Sequence, residues 1–154
     1  MTFSPNLEAG LSYRRSSIQE ASPAGLVVIL YDLLIADLQA ATAAMRDGRM
    51  EDRCARLKHG LLVLQVLESS LDLEHGGETA LILSRFYAYL RNQMLTAHYQ
   101  RDPRILEEAI ARVLDVREAW RVADLKSKPD AGTPLVVESV AAAASALENV
   151  GWSA

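Results

Sequence analysis

The chain has 154 residues, enough for one domain that buries roughly 70% of its unfolded surface without disulfides or metals. Ala and Leu occur 23 times each in a chain that is 50% hydrophobic, 23% charged and only 6% aromatic, a composition of packed helices that excludes disorder over most of the length. A net charge of −4 leaves no broad basic field for a phosphate backbone, and one cysteine, Cys54, makes neither an internal disulfide nor a zinc cluster.

Residues 1–21 carry charges and hydroxyls throughout, so they resemble no signal peptide and read as an N-terminal arm. Ser22-Pro23 starts a helix: the serine oxygen caps, and proline suits the first position, where its missing N–H costs nothing. From there Leu26, Ile29, Leu30, Leu33, Leu34, Leu38 and Ala41 recur at helical steps until Asp47-Gly48. The run Ala24 to Tyr31 ends at Asp32, and Asp37 follows, so no membrane insertion is expected. A second helix is predicted from about Glu51 to Leu71, with a stripe of Cys54, Leu57, Leu61, Leu64 and Leu71. Gly76-Gly77 permits a reversal, and a third helix follows with Leu83, Phe86, Tyr87, Leu90, Met94 and Ala97 on one face. Asp102-Pro103 opens a fourth, carried by Leu106, Ala109, Ile110, Val113, Val116, Arg117 and Trp120. The expected fold is all-α, an antiparallel up-down four-helix bundle over 22–125. A linker follows at 126–134. Over residues 135–154 the spacing of Val136, Val140, Ala144 and Leu147 predicts a short, Ala-rich fifth helix, able to dock on the bundle or to stay mobile like the arm.

Catalytic machinery is not found. A di-iron bundle needs Glu-x-x-His on two helices, and only Asp72-x-x-His75 comes near, inside the Gly-Gly turn. A histidine phosphotransfer bundle would place Lys and Gly after the histidine, but Leu62 and Val63 follow His59 at those positions. No hydrolase triad, P-loop or dinucleotide fingerprint is present, and no cofactor or metal is expected.

Apolar surplus remains. Within Leu61 to Leu67 only Gln65 is polar, more than one core face can absorb. Either the second helix touches two neighbours and the arm, or it exposes a groove for a partner's helix; the arm could cover such a groove until displaced. Tyr87 and Tyr89 lie about 200° apart around a helix, so one belongs to the core and the other is at least partly exposed.

In order, Tyr13 and Ile18 before Ala21-Ser22-Pro23, then Leu30-Tyr31-Asp32, resemble the opening of the flagellin-specific export chaperones, the FliS family. Ser70-Leu71-Asp72 through Gly76-Gly77-Glu78, Phe86-Tyr87-x-Tyr89-Leu90, Asp102 and Ala119-Trp120 are similar to later landmarks of that family. Leu33 departs from it, standing where the family usually has Gly, and Gly25 replaces a frequent acidic residue. The resemblance spans Tyr13 to Trp120 and leaves out the tail. It implies a cytosolic, non-catalytic chaperone that holds the C-terminal segment of flagellin and delivers it to the export apparatus. The export gate and other flagellar regulators would be further partners. It also implies that Tyr13 and Ile18 cap part of the binding surface. Leu62, Val66, Tyr87, Tyr89 and Met94 are the candidate groove residues. The alternative is a non-catalytic helical adaptor with a different helical partner.

Overall fold

Ser22 caps the first helix as its sequence suggests: the hydroxyl oxygen accepts the Gly25 N–H at 3.0 Å, and Pro23 occupies the first turn. The same hydroxyl donates to the Asp124 carboxylate, so the start of the first helix is tied to the last turns of the fourth. A computed structural model describes residues 22–127, which form four helices and no strand. They are α1 (Pro23–Arg46), α2 (Met50–Ser69), α3 (Gly77–Gln100) and α4 (Pro103–Ser127). The arm and the predicted fifth helix lie outside these residues, as do Tyr13 and Ile18.

Short turns reverse the chain between helices. Gly48 supplies the left-handed conformation (φ 69°) that the turn between α1 and α2 requires. Helix α1 packs against α2 and α4, and α3 closes the ring by touching the same two. By length and apolar composition alone α1 could cross a membrane; in this fold it is the most extensively packed helix.

The core faces of α3 and α4 follow the sequence pattern closely. Leu83, Phe86, Tyr87, Leu90, Met94 and Ala97 are all buried, as are Leu106, Ala109, Val113, Val116 and Trp120. Helix α1 differs. Its buried face is Ala24, Tyr31, Leu34, Ile35, Leu38 and Ala41, while Leu26 and Leu33 are each 38% exposed. The stretch from Leu26 to Ile35 is apolar on nearly every side, so periodicity alone does not choose which face turns inward. Helix α2 is also rotated from expectation: Leu57, Gly60, Val63, Leu64 and Leu67 are buried, Cys54 is exposed, and Leu71 lies beyond the helix end.

Polar groups fix the seams. Asp37 is buried on α1 and meets His59 Nδ1 at 2.5 Å and Arg56 at 3.6 Å, both from α2. Arg91 grips Glu68 with two bonds of 2.6 and 2.5 Å across α2 and α3. Arg117 reaches Asp32 at 2.7 Å, and Arg46 pairs with Glu107, joining α4 to α1.

Gly60 permits the close approach of α2 to its neighbours. A β-carbon there would come within 2.9 Å of Met94 Cε and 3.5 Å of Asp37 Cβ. Met94 Cε ends a flexible side chain and can yield to one methyl, and alanine gains about 1 kcal/mol of helix propensity. Gly60→Ala is therefore expected to change stability by less than about 1 kcal/mol, whereas Gly60→Val overpacks and should cost about 1–3 kcal/mol in urea unfolding.

Candidate functional site

The start of α1, the end of α2, the start of α3 and the end of α4 meet at one end of the bundle. Between them lies an apolar cleft of about 450 Å³. Leu26, Val27 and Leu30 form one side, Leu71 and Ala80 the other, and Leu83, Tyr87 and Trp120 the base. Its polar groups are few: Ser22, Ser70 and Asp72 at the margin. A cleft with so apolar a lining suits apolar groups.

Local chemistry shapes the margin. Asp72 accepts the backbone N–H groups of His75 and Glu74 at 3.0 and 3.1 Å, folding the connection between α2 and α3. The His75 N–H above all holds its carboxyl below the ordinary value. Gly76 sits against this turn so tightly that a β-carbon would collide with the Asp72 carbonyl and the Ala80 side chain.

Beneath the cleft Tyr31 and Tyr87 share a hydrogen bond of 2.8 Å between their hydroxyls, with rings 6.4 Å apart. Burial pushes the Tyr87 hydroxyl up to about 12, the hydrogen bond from Tyr31 moderating the rise. Burial, followed by the charge on Tyr87, raises Tyr31 well above its ordinary value; the nearby Trp120 indole works in the opposite direction. The Trp120 Nε1 proton itself finds no well-aligned acceptor.

A second concavity runs along the seam of α2 and α3. One part, about 240 Å³, is lined by Cys54, Leu57, Leu61, Met94, Leu95 and His98. The adjoining part, about 390 Å³, shares Lys58, Leu61 and Leu95 and adds Leu62, Gln65, Glu68 and Arg91. Together they make a furrow with an apolar floor and one ionic bridge, Arg91–Glu68.

The candidates from the sequence divide between these surfaces. Leu62 and Val66 are half exposed on one side of α2, and Leu62 borders the furrow. Met94 forms part of the furrow floor but is itself 1% exposed. Tyr87 is equally buried and forms the base of the cleft. Tyr89 is half-buried, stacked on Phe86 with centroids 6.4 Å apart, and lines neither concavity. Thus Tyr87 and Tyr89 face different ways, with Tyr87 in the core. The sequence pattern missed Leu26, Leu71, Leu95 and Trp120 as lining residues. Leu26 and Leu71 had been placed on core stripes, and Leu95 falls just off the buried face of α3. No group of three or more His, Cys, Asp or Glu side chains suited to a metal occurs among the described residues.

A family model described as "Flagellar protein FliS" matches residues 6–127. The chain is 31% identical over 105 residues to the flagellar secretion chaperone FliS of Vibrio cholerae, covering 68% of this chain and 77% of that protein. It is 29% identical over 107 residues to the protein of the same name from Salmonella typhimurium, covering 69% and 79%. The corresponding Bacillus subtilis protein is 24% identical over 119 residues, covering 77% and 88%.

The tyrosine pair gives the protein a defined alkaline limit. Both hydroxyls titrate higher in the folded chain than the ordinary value of 10, so unfolding releases protons above that pH and stability falls as pH rises from about 10 towards 12. Each tyrosine steepens the fall by up to about 1.4 kcal/mol per pH unit. Denaturant titrations of the Tyr31→Phe, Tyr87→Phe double variant should show a flatter decline over this window than the parent.

Proposed function

Because the chain belongs to the FliS family, a family of flagellar secretion chaperones and not of enzymes, we propose that its client is flagellin. In this reading the C-terminal segment of newly made flagellin folds into helices on the chaperone. Its apolar side chains enter the end cleft and the furrow between α2 and α3. The surfaces that would drive filament assembly are then hidden in the cytosol until the client is handed to the export apparatus. The observation that carries the proposal is the end cleft. Three helices and the connection between α2 and α3 line it, its walls are apolar, and Leu26 is exposed beside it without contributing to the core.

The cap assigned to the arm fits this geometry. Ser22 lies at the margin of the cleft, and Ile18 precedes it by four residues, so Ile18 and Tyr13 are within reach of the apolar walls. Displacement of the arm by flagellin would expose Leu26, Val27 and Leu30 as the client arrives. Ordering a disordered client offsets much of the gain from apolar burial, which keeps the complex releasable.

Calorimetry with a peptide of about forty residues from the flagellin C-terminus should give binding at or below the order of tens of micromolar. Loss of one buried leucine contact is worth about 1.5–3 kcal/mol, so Leu26→Glu and Leu62→Glu should each weaken binding roughly tenfold or more at unchanged helical content. Absence of heat at those concentrations would overturn the proposal.

A further inference from the structure

Three buried side-chain nitrogens among the described residues lack a hydrogen-bond partner. One, Trp120 Nε1, lies at the base of the cleft. The other two, Arg53 Nε and His98 Nδ1, belong to the helices that flank the furrow, at the opposite end of the bundle. Arg53 is only 7% exposed, and among the described residues no ion pair or hydrogen bond reaches its guanidinium. A buried charge is ordinarily paired, as Asp37 is with His59 and Arg56, because leaving water uncompensated is costly. We propose that Arg53 and His98 form a subsite for a carboxylate, at the end of the α2–α3 furrow nearest the turn between α1 and α2.

The register of the two helices brings these residues to one place. Gly60 on α2 lies level with Met94 on α3, and the chain reverses between the helices, so the first turns of α2 face the last turns of α3. Cys54, Leu57, Lys58 and His98 line the same part of the furrow. Arg53 directly precedes Cys54 and lies one turn before Leu57 on the same side of α2. Arg53 and His98 therefore border the same stretch of the seam.

Charge points the same way. No carboxylate lines this part of the furrow, and Lys58 adds a further cation. Further along, Arg91 is already matched by Glu68. A chain of net charge −4 thus keeps an unmatched positive end in its furrow. The negative pole of α3 offsets part of that charge but supplies neither nitrogen with a hydrogen bond. One guanidinium and one imidazole carrying its proton on Nδ1 suit the two oxygens of a carboxylate. Assigning that carboxylate to a client rests on the flagellin reading above; the subsite itself does not. An apolar furrow leaves a docked helix free to slide, whereas one ionic contact at its end fixes where the helix stops.

Titration of the full, isotope-labelled chain with propionate tests the subsite without flagellin. The Arg53 Nε–H resonance, identified by its loss in Arg53→Met, and the His98 imidazole signals should both shift saturably. Propionamide, of the same shape but neutral, should act at least roughly tenfold more weakly. In Arg53→Met, which removes the charge, and in Arg53→Lys, which removes the planar fork, the His98 response to propionate should weaken by a similar factor. No shift at propionate concentrations on the order of 0.1 M overturns the proposal. An equal response to propionamide, a response that survives both substitutions, or a response to inorganic phosphate alone overturns it too. A flagellin C-terminal peptide with a free or an amidated terminus then separates two sources of the carboxylate. Weakening on amidation that disappears in Arg53→Lys assigns the chain terminus, and Arg53-dependent binding indifferent to amidation assigns an acidic side chain. A peptide affinity independent of Arg53 overturns the client assignment. Absence of any peptide binding counts against the flagellin reading alone, since the propionate result stands without it.

Discussion

Helix α1 carries apolar side chains around most of its circumference, and the rotation it adopts is set by two polar groups that it must bury. Tyr31 needs a partner for its hydroxyl and finds Tyr87; Asp37 needs compensation for its charge and finds His59 and Arg56. An unsatisfied buried hydroxyl or carboxylate costs more than the difference between burying one leucine or another. Turning α1 to bury Leu26 and Leu33 would strand these groups. Their pairing fixes α1 against α2 on one side and α3 across the core, and the remaining helices are arranged around that registration.

The position of the two concavities follows. With α1 held against α2 and α4, α3 completes the ring with looser contact, and the α2–α3 seam opens into a furrow. At the end of the bundle Leu26 is exposed, and together with Val27 and Leu30, which pack partly against the core, it forms a wall of the cleft.

The same constraint explains what could be read from the residues alone. Helices α3 and α4 bury the faces that spacing predicts, although Leu81, Leu95, Leu114 and Leu125 lie exposed off those faces. On α1 and α2 the apolar residues exceed one face, and the choice rested on partners far away in sequence: the Tyr31–Tyr87 bond joins residues 56 apart, and Gly60 matters because of Met94. The surplus at Leu61 to Leu67 was legible as a surplus, and Leu62 and Val66 do lie outside the core. Tyr87 and Met94 were equally visible as apolar anchors. Their place at the base of a concavity, rather than on its rim, depends on packing that no local pattern encodes. The landmarks of the FliS family were visible as an ordered series, and among the described residues Ser22-Pro23 sits at a helix start, Asp72 to Gly77 at a turn, and Tyr31, Phe86, Tyr87 and Trp120 in the core.

That division between rim and base bears on how such a surface evolves. Leu62, Val66 and Leu95 project from helices whose packing they scarcely affect, so exchanges there can accumulate at little cost to folding. Tyr87 and Met94 serve the core and the concavities at once, so a change at either is felt by the whole domain. An exchange at an outer residue therefore alters the surface and leaves the fold intact, whereas an exchange at Tyr87 or Met94 alters both together.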